Sequence, residues 1–456
     1  MVFSSLTFLF FFLPLTLGIY YISPNRLKNS ILLIFSLLFY GWGEPKYILI
    51  MLFSSIIDFI HAKVIDNNRD NIKSKIALLS SIIVNLSLLF YFKYSGFFLE
   101  VMNNFIGTNF EIFSIALPIG ISFYTFQTMS YSIDVYRGVA PVQSSLISFA
   151  TYVSLFPQLV AGPIVRYQTI ATELMDRTHT FDKFYEGVNL LLIGLGKKVI
   201  LANNIGLIWN FVKLQEINQL SMFTAWLGII SFGLQIYFDF SGYSDMAIGL
   251  GKLFGFNFPK NFNYPYISKS ITEFWRRWHI SLGQWFRDYI YIPLGGNKKG
   301  KLKWIRNIFI VWFITGLWHG AGINFILWGI YFGIILMMEK LFLLELLNKL
   351  PNWIRCLYTL ILVSIGWVLF ELTNFASIGL YLKAMFINSN MVDKMFLYLL
   401  TPNIILITIG IFASTPVLAK IMKNEYLKFI IIFLSFFVAV AFLVDASFNP
   451  FLYFRF

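Results

Sequence analysis

The residue with the clearest chemical potential in this chain is His319. It lies in Gly316-Leu317-Trp318-His319-Gly320-Ala321-Gly322, which joins two apolar runs, and no charged residue occurs between Arg306 and Glu339. An ionisable side chain inside a membrane segment is a functional candidate by default, against the plainer role of bridging two helices by hydrogen bonds. An apolar setting disfavours imidazolium, which leaves a neutral ring nitrogen able to take a proton from a hydroxyl near neutral pH. That is the work of a general base. The surrounding glycines let a substrate approach the ring closely.

His279 is the second candidate. It sits beside Trp278 and near Trp275 at the edge of an aromatic helix face, less deeply placed than His319, where packing among tryptophans and positioning of donor or acceptor are both open. Asp239 and Asp245, in Phe238-Asp239-Phe240-Ser241-Gly242-Tyr243-Ser244-Asp245, are acids in an apolar setting, suited to helix-bundling hydrogen bonds or to substrate binding. Arg276 and Arg277, with Lys298, Lys299, Lys301 and Lys303, could meet the phosphates of a cytoplasmic cofactor, although topology alone also explains such a basic group. His61 and His179 lie in charged or polar stretches near Lys63 and Arg177 and are expected to be solvated. The apolar end, Phe451-Leu452-Tyr453-Phe454-Arg455-Phe456, calls for an apolar binding place or interfacial anchoring, and Tyr453 would offer a hydroxyl on a short tether.

What must position these residues is a membrane domain. Of 456 residues 58% are hydrophobic, 19% aromatic and 12% charged, against about 25% charged in a soluble domain. Fifty-two Phe, 24 Tyr and 12 Trp exceed what a water-exposed globule of this length could hide. A bilayer-crossing helix needs about 20 apolar residues, so the length allows on the order of ten to twelve crossings in one integral membrane domain. The net charge of +13 fits basic cytoplasmic loops better than a nucleic-acid partner. Cys356, the single cysteine, excludes an intrachain disulfide, a CxxC pair and a cysteine zinc site. No HExxH, GxSxG, Walker loop or GxGxxG occurs, so hydrolase, ATPase and dehydrogenase readings lose support and no metal is expected.

Apolar runs occur near 3–22, 31–60 (divisible around Gly41, Gly43 and Pro45), 76–92, 113–132 and 146–160. Others follow near 186–210, 222–240, 243–256, 304–318, 322–343, 355–371, 401–419 and 429–444. Leu117–Tyr131 and Phe156–Pro163, interrupted by Gly and Pro, suit broken helices lining a cavity. The first run lacks a basic leader and a small-residue cleavage site, so it is expected to remain as a span. Arg26 and Lys28 place the next loop in the cytoplasm, and Lys420, Lys423 and Lys428 precede the last span. Both termini are then expected outside, with an even number of crossings.

The least membrane-like part is about 257–306. Ser270-Ile271-Thr272-Glu273 has capping-box spacing, and Pro293, Gly295 and Gly296 stop the helix that follows. On one wheel Glu273, Arg276, Arg277, Gln284, Arg287 and Asp288 share a face opposite Phe274, Trp275, Trp278, Leu282, Trp285, Phe286 and Tyr289. This pattern predicts one interfacial helix on the cytoplasmic side.

Several long motifs carry a family resemblance: Phe156-Pro157-Gln158 with Ala161-Gly162-Pro163-Ile164, the Tyr237–Asp245 segment, Phe262-Asn263-Tyr264-Pro265-Tyr266, Phe274-Trp275-Arg276-Arg277-Trp278-His279 and Gly316-Leu317-Trp318-His319-Gly320. The chain resembles the membrane-bound O-acyltransferases (MBOAT), in the branch of the membrane subunit of bacterial alginate O-acetyltransferase. The resemblance spans nearly the whole chain, 1–456, as a single domain. It implies an all-α, polytopic funnel with a central tunnel and re-entrant or interfacial helices in the bacterial inner membrane, with an extracytoplasmic tail at 445–456. His319 matches the essential histidine and His279 the second conserved one.

The resemblance further implies acetyl-CoA as donor, or an acyl carrier protein thioester as the alternative, and an extracytoplasmic SGNH-type acetyltransferase partner with polysaccharide export machinery, in contact with membrane lipid. The acceptor would be an alginate-like exopolysaccharide or cellulose. The tail resembles the aromatic end of the small protein assisting teichoic-acid D-alanylation, and by that analogy Tyr453 is expected as a first acyl acceptor. Trp318 and nearby amides are the candidates for oxyanion stabilisation. D-alanyl transfer to teichoic acid and peptidoglycan O-acetylation are the enzyme rivals. A lipid-linked sugar transporter is the rival of another class, and the lack of an internal repeat weighs against it.

Overall fold

Lipid offers no hydrogen bonds to a backbone, so each segment crossing it must satisfy its own amides. The computed structural model describes residues 1–112, 115–160 and 162–445, and every regular element among them is helical. Seven of these helical stretches are long and apolar enough to cross a membrane: Pro45–Asn67, Ile72–Asn104, Phe181–Lys213, Met222–Leu253, Asn352–Glu371, Lys394–Ala413 and Glu425–Asp445. That is fewer than the ten to twelve expected. Several apolar runs form helices well short of 20 residues, such as Lys28–Gly41 and Leu146–Ser154. The runs at 222–240 and 243–256 are one helix, Met222–Leu253. The division around Gly41 and Pro45 is as expected, giving Lys28–Gly41 and Ile48–Asn67.

The described chain packs as two units, the first made of Met1–Leu191 with Tyr243–Pro259. Its helices Ile48–Asn67, Ile72–Leu89 and Ile121–Tyr136 meet around the buried carboxylate of Asp58. Ser81 Oγ, Asn85 Nδ2 and Ser132 Oγ donate to it at 2.5, 2.7 and 3.3 Å, while Ser54 Oγ and Thr128 Oγ1 donate to Asn85 Oδ1 at 3.0 and 3.1 Å. Polar side chains that find partners across helices hold a bundle together where lipid supplies no hydrophobic drive. The segment Leu117–Tyr131 is not the broken helix expected: residues 117–120 are non-helical and Gly120, at φ +76°, starts the unbroken helix Ile121–Tyr136, where a Cβ on Gly120 would meet the Leu159 carbonyl oxygen at 2.6 Å. Neither His61 nor His179 is simply solvated. His61 lies inside the Ile48–Asn67 helix, its Nδ1 2.7 Å from the Ile57 carbonyl and its Nε2 3.0 Å from Ser80 Oγ. His179 Nε2 is 2.9 Å from Tyr20 Oη.

Among the described residues the second unit comprises 192–242 and 260–445. Lys301–His319 and Ile323–Met338 form its tightest helix pair. A Cβ on Gly316 would lie 2.3 Å from the Phe325 carbonyl, and one on Gly329 2.3 Å from that of Trp312. Small residues allow this approach, which sets the end of the first helix, and with it His319. Lys198 and Asp239 form a buried ion pair at 2.5 Å, giving Asp239 the bundling role.

Candidate active site

Ser270 starts the aromatic helix as its spacing predicts, its Oγ accepting from Glu273 N at 3.0 Å. The reciprocal bond runs from Lys269 N to Glu273 Oε2 at 2.9 Å. A second carboxylate holds the same end: Glu339, buried, accepts from Ile271 N and Thr272 N at 2.7 Å each and from Tyr358 Oη at 3.2 Å. Charge-assisted bonds of this kind are roughly twice as strong as neutral ones.

The single interfacial helix of the sequence reading is in fact two, Ile271–Arg277 and Ile280–Phe286, broken at Trp278 and His279. In a continuous helix these neighbours would point 100° apart on one cylinder. The break lets each enter its own aromatic surroundings. Trp278 stacks on Phe274 and meets Phe262 and Trp367 at centroid distances of 5.6, 5.1 and 5.0 Å. His279 meets the edge or face of Phe240 at 4.7 Å and Trp318 at 5.8 Å. His279 takes left-handed backbone angles, φ 45° and ψ 54°, a cost of about 1–2 kcal/mol for a non-glycine residue.

Asn261 compensates that strain. Its backbone carbonyl accepts from Ile280 N at 2.9 Å, and its Oδ1 accepts from Ser281 N and Ser281 Oγ at 3.2 and 2.9 Å and faces His279 Nδ1 at 3.2 Å. His279 is 2% exposed and His319 5%. Both rings are thus buried within the protein. Burial pushes the His279 pKa far below the ordinary imidazole value, so the ring is neutral.

His319 is the last residue of the Lys301–His319 helix, and extended Gly320 ends it. Its ring lies among Trp318, Trp328 and Phe370 at 5.1, 4.9 and 5.4 Å. Trp318 therefore packs on both imidazoles. His279 and His319 line one cavity of about 590 Å³, walled by Trp275 and Trp312 and carrying Arg276, Arg287 and Lys340. Two imidazoles in an aromatic chamber with cationic side chains can receive a proton from a hydroxyl and hold an anionic ligand.

Of the residues singled out in the sequence, His279, His319 and Arg276 meet at this cavity, with Trp318 against both rings. Arg277 does not line it. Its guanidinium pairs with Glu273 at 2.8 Å and donates to the Asn263 carbonyl at 3.0 Å, stitching the loop to the helix. Asp245 belongs to the first unit and is not among the lining residues. Tyr453 lies outside the described residues. Sequence reasoning missed Asn261 and Glu339 as supports and Lys340 as a cation of the cavity. Glu339 carried a signal, a carboxylate closing an apolar run, whereas nothing local to Asn261 marked it.

Comparison with known proteins agrees with the motif reading. A family model for MBOAT, the membrane-bound O-acyltransferase family, matches residues 30–378. The chain is 44% identical over 394 residues to the "Probable alginate O-acetylase AlgI" of Pseudomonas syringae pv. tomato, covering 85% of this chain and 75% of that protein. It is 34% identical over 420 residues to the peptidoglycan O-acetyltransferase of Helicobacter pylori, 84% and 80% of the two chains. The teichoic acid D-alanyltransferase of Bacillus subtilis is 30% identical over 247 residues, 52% and 62%.

Proposed function

The chain belongs to the membrane-bound O-acyltransferase family and is a multi-pass O-acyltransferase, and we propose that it moves acetyl groups from cytoplasmic acetyl-CoA across the bacterial inner membrane for O-acetylation of an extracellular or cell-wall polysaccharide. The observation that carries this reading is the convergence of His279 and His319 on one aromatic cavity bearing Arg276, Arg287 and Lys340. An alginate-like exopolysaccharide is the favoured acceptor, in line with the similarity to alginate O-acetylases.

In this reading a ring nitrogen of His319 takes the proton of an incoming hydroxyl as its oxygen attacks the thioester carbonyl. The C–S bond then breaks, the thiolate of CoA leaves toward the cytoplasm, and the proton on His319 passes to it. The thioester is the energy source, so no nucleotide hydrolysis is required. The cations on the cavity wall suit the phosphates of CoA. Arg276 fits that role and Arg277, engaged with Glu273, does not. Tyr453 is the proposed first acceptor, passing acetyl to an SGNH-type partner outside the membrane, with both termini extracytoplasmic.

Peptidoglycan O-acetylation is the second reading, carried by the Helicobacter pylori relative. Purified protein in nanodiscs, given radiolabelled acetyl-CoA and mapped by mass spectrometry, tests the relay. Label on Tyr453, lost in Tyr453→Phe and His319→Ala, supports it. Acetyl-CoA turnover without tail label points to direct transfer.

A further inference from the structure

The hydrogen bonds around Asn261 determine more than the path of the chain. Asn261 Oδ1 takes the backbone N–H of Ser281 at 3.2 Å, a group that only donates, so this atom is the amide oxygen. The same oxygen receives Ser281 Oγ at 2.9 Å and lies 3.2 Å from His279 Nδ1. An oxygen with no hydrogen can only accept, so Nδ1 must carry the proton of that bond. In a neutral imidazole the lone pair then resides on Nε2, and burial keeps the ring neutral.

We infer that Asn261 is a positioning residue which holds His279 as the Nδ1–H tautomer, making Nε2 its acceptor atom at the cavity. The inference rests on the reading of that cavity as the active site. Asn261 differs in one respect from the carboxylate that often supports an imidazole. Its amide orients the ring without a charge that would favour imidazolium. The ring therefore stays an acceptor, suited to receiving the hydrogen bond of an incoming hydroxyl while proton abstraction falls to His319. Phe240, Trp318 and Asn261 lie against the His279 ring, with Ser281 sharing the Asn261 oxygen, and these four side chains carry no charge near neutrality. The other titratable groups on the cavity wall are His319, Arg276, Arg287 and Lys340, with Tyr291.

Full-length protein labelled with 15N-histidine and reconstituted in lipid bilayers gives the test. Comparison with His279→Gln identifies the His279 resonances among those of the four histidines. The expected spectrum has a protonated Nδ1 and an unprotonated Nε2 near neutral pH. Asn261→Asp keeps every accepted hydrogen bond and adds a negative charge, so the His279 titration should move up by at least one pH unit. A protonated Nε2 in the native protein, or an unchanged titration in folded Asn261→Asp, overturns the inference. Because the spectrum reads the tautomer without turnover, it separates this inference from the functional reading. Normal acetyl transfer by His279→Gln would refute a role in the site while the spectrum still decided the tautomer.

Discussion

The carboxylate of Glu339 receives the backbone N–H of Ile271 at 2.7 Å, so an acid at the end of one apolar helix anchors the start of the helix that leads to His279. Replacing Glu339 by Gln leaves one oxygen where two amides need acceptors. The expected result is a loss of about 1–3 kcal/mol of stability and a fall in transfer rate on the order of tenfold. Thermal unfolding in detergent and rate measurement at a permissive temperature check both effects.

Gly316 controls the position of His319 through its approach to the Phe325 carbonyl. Gly316→Val should push the two helices apart and move the imidazole by a sizeable fraction of an ångström. A misplacement near 1 Å can cost on the order of 10²-fold in rate. The variant is expected to insert in the membrane and lose activity to that extent, as read by thioester turnover in purified protein.

Arg276 and Arg277 are sequence neighbours with different surroundings, one lining the cavity and one paired with Glu273. Arg276→Gln and Lys340→Gln should raise KM for acetyl-CoA on the order of tenfold with a smaller change in kcat. Arg277→Gln should leave KM within about twofold, since a partly exposed pair contributes at most about 1 kcal/mol. Steady-state kinetics over a range of donor concentrations distinguishes the two.

Asp58 is the hub of the polar network in the first unit and has no part in the proposed chemistry. Asp58→Leu would leave Ser81 and Asn85 without their acceptor, costing on the order of 3 kcal/mol. Asp58→Asn should cost less, since one acceptor oxygen is retained. Melting temperatures of the two variants, with specific activity measured in the folded fraction, check the ranking and the expected retention of activity.

Much of the architecture was legible because it depends on local pattern. Many of the apolar runs coincide with long apolar helices, and Ser270 and Glu273 located a helix start, whereas the glycines around His319, read as room for a substrate, admit Phe325 of the neighbouring helix. Two features depended on distant partners and were not legible. The gap between the apolar runs 222–240 and 243–256 reads as a boundary, yet Gly242 lies mid-helix, where a Cβ would meet the Gly194 carbonyl at 2.7 Å. The wheel over 270–289 assumed unbroken helix. The break at His279 is supported by Asn261, 18 residues away, and no periodicity reports that bond. Arg276 and Arg277 both precede that break, and the 100° step between helical neighbours sets one on the cavity and the other toward the loop.

The central claim is that His319 is the base for acetyl transfer from acetyl-CoA. Its most direct test is release of free CoA from acetyl-CoA by the purified protein in nanodiscs, compared with His319→Ala and His319→Gln of matched folding. The account predicts that both variants lose at least 10²-fold in rate with little change in donor KM. Turnover by either variant within a few-fold of the native rate would contradict it.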